Sequence, residues 1–191
     1  MNDKILLALF MGMLSGDGWL SIKTKKAGYK SYSVEFCNTE LQIVTKFRDL
    51  FFKIFNVQGN IHPRKRPNRK EIFQFSSYFK ESFFRLSKLG FPIGVKRDVL
   101  KILDFIKSGS KEEKLAFLFG LYLTDGCLKK DSLIYFHLGS KTFLREVAEL
   151  ISELSGSKKI VKTYVQREKF YSYQLGLNKE ETRMILSARI A

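Results

Sequence analysis

Two aspartates sit in matching surroundings 108 residues apart. Asp17 follows the apolar run ILLALFMGML (residues 5–14), Asp125 follows LAFLFGLYL (115–123), and the next residues are Gly18 and Gly126. A run that is apolar on every side predicts a helix buried all round, and Asp-Gly at its end is a stop signal. Gly12 and Gly120, inside the runs, allow the two helices to approach closely and bring their C-termini together. A helix C-terminus carries partial negative charge and unpaired carbonyls, so an acid there is unfavourable unless a cation is bound. Two such ends make a set of hard oxygen donors: the Asp17 and Asp125 carboxylates with the carbonyls of Gly16 and Thr124. That set suits magnesium, or manganese, which would also hold water and phosphate oxygens and so serve phosphodiester hydrolysis. Either aspartate alone would more often just end a helix; the matched pair carries the argument.

The aspartates belong to a duplication that runs through the chain. At an offset of 108, Gly12, Asp17, Gly18 and Leu20 fall on Gly120, Asp125, Gly126 and Leu128; at an offset of 100, Val34/Ile134, Phe36/Phe136, Phe47/Val147, Leu50/Leu150 and Gln74/Gln174 fall into step. The second copy has therefore lost eight residues between Gly126 and Ile134, where a turn is expected. In each copy the buried helix is followed by a hairpin, with Leu20, Ile22, Val34 and Phe36 alternating with polar neighbours. Next comes an amphipathic helix through Ile43, Phe47, Leu50 and Ile54. A second hairpin over residues 61–64 and 72–76 and a helix over 82–89 complete the half. The expected fold is α+β, with two pseudo-twofold αββαββα halves forming a saddle of antiparallel sheets around the paired helices. The halves are residues 1–93 and 112–191, joined by a linker (94–111) with a short amphipathic helix.

Lys and Arg number 34 against 19 Asp and Glu, a net charge of +15. With 45% hydrophobic and 14% aromatic residues the chain can build a core, which excludes disorder and points the basic surface towards nucleic acid. Two cysteines and two histidines, Cys37, Cys127, His62 and His137, offer neither a zinc set nor a disulfide framework. No apolar run reaches the length of a membrane span, and the internal copy of the first run argues against a cleaved leader. An intracellular protein with no membrane partner is expected, in the cytoplasm or an organelle matrix.

The strips FMGMLSGDG and LFGLYLTDG resemble the LAGLIDADG signature of the homing endonucleases, with glycine at the third position, aspartate at the eighth and glycine at the ninth. The match departs from the signature at the first and second positions and at the sixth, where Ser15 and Leu123 stand in place of aspartate. The resemblance implies a monomeric two-motif enzyme that cuts double-stranded DNA at a long asymmetric site with a divalent metal. It also implies one aspartate per strand, cleavage across the minor groove and short 3′ overhangs. By position it gives Lys96 the role of the basic residue near the metals and Asn38 that of a water-positioning amide. The partner of Asn38 is Leu138, which cannot do that job, so an asymmetric site is expected, with Lys129 standing in for a second Lys96.

Strand alternation supplies the DNA-contacting face. If Leu20, Ile22, Val34, Phe36 and Phe75 face the helices, then Ser21, Lys23, Lys25, Ser33, Glu35, His62, Arg64 and Gln74 face away. In the second half the face is Lys129, Lys162, Tyr164, Gln166, Ser172 and Gln174. Such groups read base edges, and an antiparallel ribbon can enter the major groove. The turn cluster of Arg64, Lys65, Arg66, Arg69 and Lys70, with Arg167 and Lys169, suits phosphate. The alternative in the same fold is a maturase, which binds intron RNA and assists splicing; a DNA-binding regulator without catalysis is a second.

Overall fold

The structure, a computed structural model, describes residues 3–26, 28–65, 70–166 and 170–188, with the side chains of 164–166, 170 and 171 left out. The first half runs α1 (Asp3–Asp17), β1 (Gly18–Thr24), β2 (Lys30–Asn38), α2 (Leu41–Phe55), β3 (Asn60–Arg64), β4 (Ile72–Ser77) and α3 (Lys80–Lys88). After a single helical turn, α4 (Asp104–Lys107), the order repeats. It runs α5 (Lys111–Asp125), β5 (Gly126–Leu128), β6 (Ile134–Leu138), α6 (Lys141–Ser155), β7 (Lys162–Gln166), β8 (Phe170–Gly176) and α7 (Lys179–Ser187). Both four-stranded sheets are antiparallel with the same order, β1-β2-β4-β3 and β5-β6-β8-β7. Among the described residues no helix is long and apolar enough to cross a membrane.

The all-round apolar character of α1 and α5 is explained by their neighbours. Each helix packs on the other and on the amphipathic helix of its own half. Phe10 of α1 stacks on Phe47 of α2 with ring centroids 4.7 Å apart, and Phe47 stacks in turn on Phe36 of the sheet at 4.2 Å. The amphipathic helices α2 and α6 close alike, on left-handed residues at pseudo-equivalent positions, Asn56 (φ 52°) and Gly156 (φ 71°). Such a cap satisfies the last carbonyls of the helix.

At the crossing, Gly12 and Gly120 face each other. A Cβ on Gly12 would overlap the Phe117 carbonyl and lie 2.9 Å from the Leu121 nitrogen. One on Gly120 would overlap the Leu9 carbonyl and lie 3.0 Å from the Met13 nitrogen, the same contacts shifted by one repeat. Helix backbones touch here, so neither position has room for a side chain.

Two expectations are corrected. The eight residues missing from the second copy are not taken from the turn. Strand β1 has 7 residues against 3 in β5, and β2 has 9 against 5 in β6, so each strand is four shorter. The turn itself survives: Lys25 bonds with Tyr29 and Gly28 in the first half as Lys129 bonds with Leu133 and Ser132 in the second. Its left-handed residue is Gly28 (φ 81°) in one and Ser132 (φ 60°) in the other.

The segment joining the halves is also more than a linker with a helix. It bridges Leu20 at the edge of the first sheet through Ile93 and Gly94 and buries Leu100, Ile102 and Leu103. It then docks on α6, where Ile102 N–H donates to Glu146 Oε2 at 2.6 Å and Lys107 pairs with the same carboxylate at 3.3 Å. The strap is fixed to both halves.

Filling the helix crossing tests this packing. Gly12→Ala is expected to cost at least about 1–3 kcal/mol, because overlap with a backbone carbonyl can be relieved only by separating the helices. A lowered urea midpoint with an unchanged slope would show it.

Candidate active site

The crossing delivers two helix ends to one place. At those ends Gly16 faces Thr124, its pseudo-equivalent, and a Cβ on Gly16 would lie 2.8 Å from Asp125 Oδ2. Into the same place the strap inserts Lys96. Its Nζ donates to the Leu14 carbonyl at 3.0 Å, to the Gly18 carbonyl at 2.6 Å and to the Gly16 carbonyl. The last carbonyls of α1 lack partners within the helix, and an ammonium there satisfies them and opposes the negative end of the dipole.

Burial sets the ionisation of the trio. It pushes Asp125 up to about 7; the charge of Asp17 adds to the rise and Lys96 opposes it. Asp17 is also raised by burial, against the Asn38 hydrogen bond and Lys96. Lys96 is lowered to about 8 by burial, in spite of Asp125 and Asp17. One half-buried ammonium thus leaves two carboxylates undercompensated, the electrostatic condition that favours a divalent cation.

The donor set fits such an ion. Asp17 and Asp125 are its carboxylates, and no group of three or more His, Cys, Asp or Glu side chains occurs among the described residues. An ion here would complete its shell with carbonyl, water and phosphate oxygens, as magnesium commonly does. The Gly16 carbonyl already accepts from Lys96, so it can serve an ion only through its second lone pair. The Thr124 hydroxyl donates to the Leu121 carbonyl at 3.0 Å and keeps its oxygen lone pairs, so both that oxygen and the main-chain oxygen are donors it can offer.

Asn38 reaches the site. It pairs with Phe73 on the helix-facing side of β2, its Oδ1 accepts from Glu40 N–H at 2.8 Å, and its Nδ2 donates to Asp17 Oδ2 at 2.6 Å. The bond to Glu40 fixes the amide, so the donor must point at the carboxylate. Lys129 does not stand in for Lys96. It occupies the hairpin turn as the counterpart of Lys25, with its ammonium 3.9 Å from the centre of the Tyr135 ring.

A pocket of about 200 Å³ adjoins Asp125, lined by Ser15, Gly16, Lys96, Arg97, Leu100, Asp125, His137, Leu138, Gly139, Ser140 and Phe143. His137 and Arg97 carry chemistry there that the sequence reading passed over. The signal for His137 was present, since Ile134, Phe136 and Leu138 alternate with Tyr135 and His137.

Strand register puts Ser21, Lys23, Ser33, Glu35, Gln74, His62 and Arg64 on one face of the first sheet, with Lys25 in the adjoining turn. The second sheet brings Lys162, Tyr164, Gln166, Ser172 and Gln174 to its corresponding face, together with Cys127, Tyr135 and His137. Lys65 and Lys70 are exposed beyond β3 and before β4. Arg66, Arg69, Arg167 and Lys169, and the side chains of Tyr164 and Gln166, lie outside the described residues.

Glu35 and Ser33 are on the expected face but are not exposed readers, since each is only 2% exposed. Glu35 is the hub of a network. It accepts from Ser33 Oγ at 2.7 Å, Gln74 Nε2 at 2.6 Å and Lys23 Nζ at 3.4 Å, and Gln74 Oε1 accepts from Arg64 Nη1 at 2.8 Å. An acid in a basic face here orders its neighbours.

Residues 112–189 match the family model described as a LAGLIDADG-like domain. The whole chain superposes on solved structures of the homing endonuclease I-DmoI. A doubly substituted I-DmoI in complex with its nicked target DNA and Mn gives a TM-score of 0.73 at 18% identity, covering 100% of both chains. I-DmoI in complex with DNA and Ca gives 0.72 at 18% identity, covering 98% of this chain and 90% of that one. Full-length DUF199/WhiA from Thermatoga maritima gives 0.63 at 10% identity, covering 98% of this chain and 55% of that one. These likenesses establish the fold.

The ionisation of the trio makes a pH prediction. Folded Asp125 keeps a proton up to about 7 that an ordinary carboxylate releases near 3.8, so its contribution to stability falls as pH rises between those values. Lys96 does the converse: it binds fewer protons folded than unfolded between about 8 and 10.5, so its contribution rises there. In EDTA, Asp125→Asn should therefore be more stable than the unaltered protein at pH 7.5, and the gap in Tm should shrink towards pH 5. Magnesium should narrow the gap at pH 7.5 by stabilising the unaltered protein. Calorimetry at the two pH values, with and without the ion, measures both effects.

Proposed function

With residues 112–189 a LAGLIDADG-like domain and the full length in the fold of I-DmoI, we propose that this protein is a site-specific endonuclease of double-stranded DNA. It acts as a monomer on a long asymmetric target and leaves short 3′ overhangs. The observation that carries the reading is the half-buried trio of Asp17, Asp125 and Lys96 at the joined helix ends, beside two polar sheet faces in a chain of charge +15.

Asp17 and Asp125 would hold a divalent ion, magnesium or manganese, with main-chain oxygens of Gly16 and Thr124 beside them. Such an ion, when bound, would supply activation of a water and stabilisation of the leaving oxygen. Asn38 holds Asp17 by one carboxylate oxygen and so leaves the other for the ion. Lys96 keeps a positive charge against α1 and offsets the charge that the carboxylates and a scissile phosphate bring together. The sheet faces bind the duplex: Lys25, Lys65 and Lys70 suit phosphates, while Lys23, Arg64, Gln74, Lys162 and Gln174 suit base edges.

The test is digestion of a plasmid library of randomised and intron-insertion sequences, with magnesium and with EDTA. Discrete magnesium-dependent double-strand ends with 3′ overhangs are expected. Salt-sensitive binding to DNA or RNA with no cuts under any metal would overturn the reading. On the target so found, Asp17→Asn and Asp125→Asn should each abolish double-strand cleavage and leave binding within a few-fold, measured by gel shift in EDTA. Glu35→Ala should release Lys23, Gln74 and Arg64 from their network. Its effect should be a loss of discrimination at the base pairs these residues face, about 10-fold per position, larger than any loss of overall affinity. Binding to a panel of single-base variants reads that difference.

A further inference from the structure

The two aspartates are not served alike. Asp17 is held by Asn38, while the pseudo-equivalent of Asn38 is Leu138, an apolar residue 8% exposed that cannot hold Asp125. The pocket beside Asp125 nevertheless has a polar wall, and one residue of it, His137, comes from the same strand end as Leu138. We propose that His137 is the positioning residue of the Asp125 side, its imidazole orienting ion-bound water there as Asn38 orients Asp17 on the other.

Three observations support this. His137 lines the pocket that also contains Asp125 and Lys96. Its ring is held from the second sheet face by Gln174, whose Nε2 lies 3.2 Å from His137 Nε2. An amide N–H can only donate, so the ring Nε2 accepts and the proton lies on Nδ1, leaving Nδ1–H to donate. In the first half the matching pair is Cys37 with Gln74, and there Gln74 is committed to Glu35 and Arg64. The histidine is thus an addition of the second half alone. Burial and the charge of Lys129 lower its pKa, which keeps the ring neutral and able to accept from Gln174 at neutral pH.

The inference rests on the nuclease reading, and two measurements separate their fates. The first needs no DNA: the chain has two histidines, His62 and His137, so the imidazole resonances of histidine-labelled protein can be assigned with His62→Asn. Titration with Mn²⁺ alone should broaden His137 strongly and His62 little. The second is single-turnover cleavage of the target with each strand labelled. His137→Ala should slow one strand about 10–100-fold, the strand that Asn38→Ala spares, and His137→Asn or His137→Gln should recover much of the rate. Equal slowing of both strands, no slowing, or Mn²⁺ broadening that does not distinguish the two histidines overturns the inference while cutting by the unaltered protein upholds the nuclease. Selective broadening in a protein that cuts no duplex overturns the nuclease reading and leaves His137 at the ion site.

Discussion

The contact of backbone on backbone at Gly12 and Gly120 sets the positions of everything else. It fixes how near the axes of α1 and α5 come, and hence how near their last carbonyls and Asp17 and Asp125 lie. Like partial charges and like carboxylates would then oppose one another. Lys96, brought by the strap, relieves part of that repulsion with a single ammonium donating to three carbonyls. The remainder is left in the shifted ionisation of the acids. Packing alone creates the electrostatic deficit, and a bound cation is the economical way to fill it.

Much of this was legible in the sequence because the chain states it twice. The runs before Asp17 and Asp125 could only be buried helices, and the offset of 100 carried the alternation of β2 and β4 onto β6 and β8. What could not be read was whatever depends on tertiary contacts without a local pattern. The strap's local pattern is confined to its short amphipathic helix. Its course is set by Glu146, forty-four residues from Ile102, and by the edge of β1 at Leu20. Lys96 could be placed near the aspartates by resemblance, yet its grip on the end of α1 could not. Lys129 was misplaced because counting four residues from Asp125 takes no account of where β5 ends. Its three residues put Lys129 already in the turn.

Glu35 shows a different limit. Alternation assigned it to the right face, but a residue's face does not say whether its charge meets solvent. Hydrogen bonds from Ser33, Gln74 and Lys23 cover the carboxylate, and the exposed polar surface is that of its neighbours. A sequence reading counts such an acid as a blemish on a basic surface. In the folded protein it is what gives several flexible side chains one arrangement, at a lower entropic cost on binding than if each had to be ordered separately.

The shortened hairpin gives the molecule unequal arms. Four residues of strand extend about 13 Å, close to four base-pair steps at about 3.4 Å each. The β1–β2 arm ends in the same turn as β5–β6, but that much further out. For a duplex lying along both sheets, the side chains of the longer arm continue over steps where the shorter arm has none. A mutation in the outer part of one half-site would then meet protein, and its mirror-image mutation in the other would meet only water. If the proposed nuclease reading holds, sequence drift would be tolerated on one flank of its target sooner than on the other.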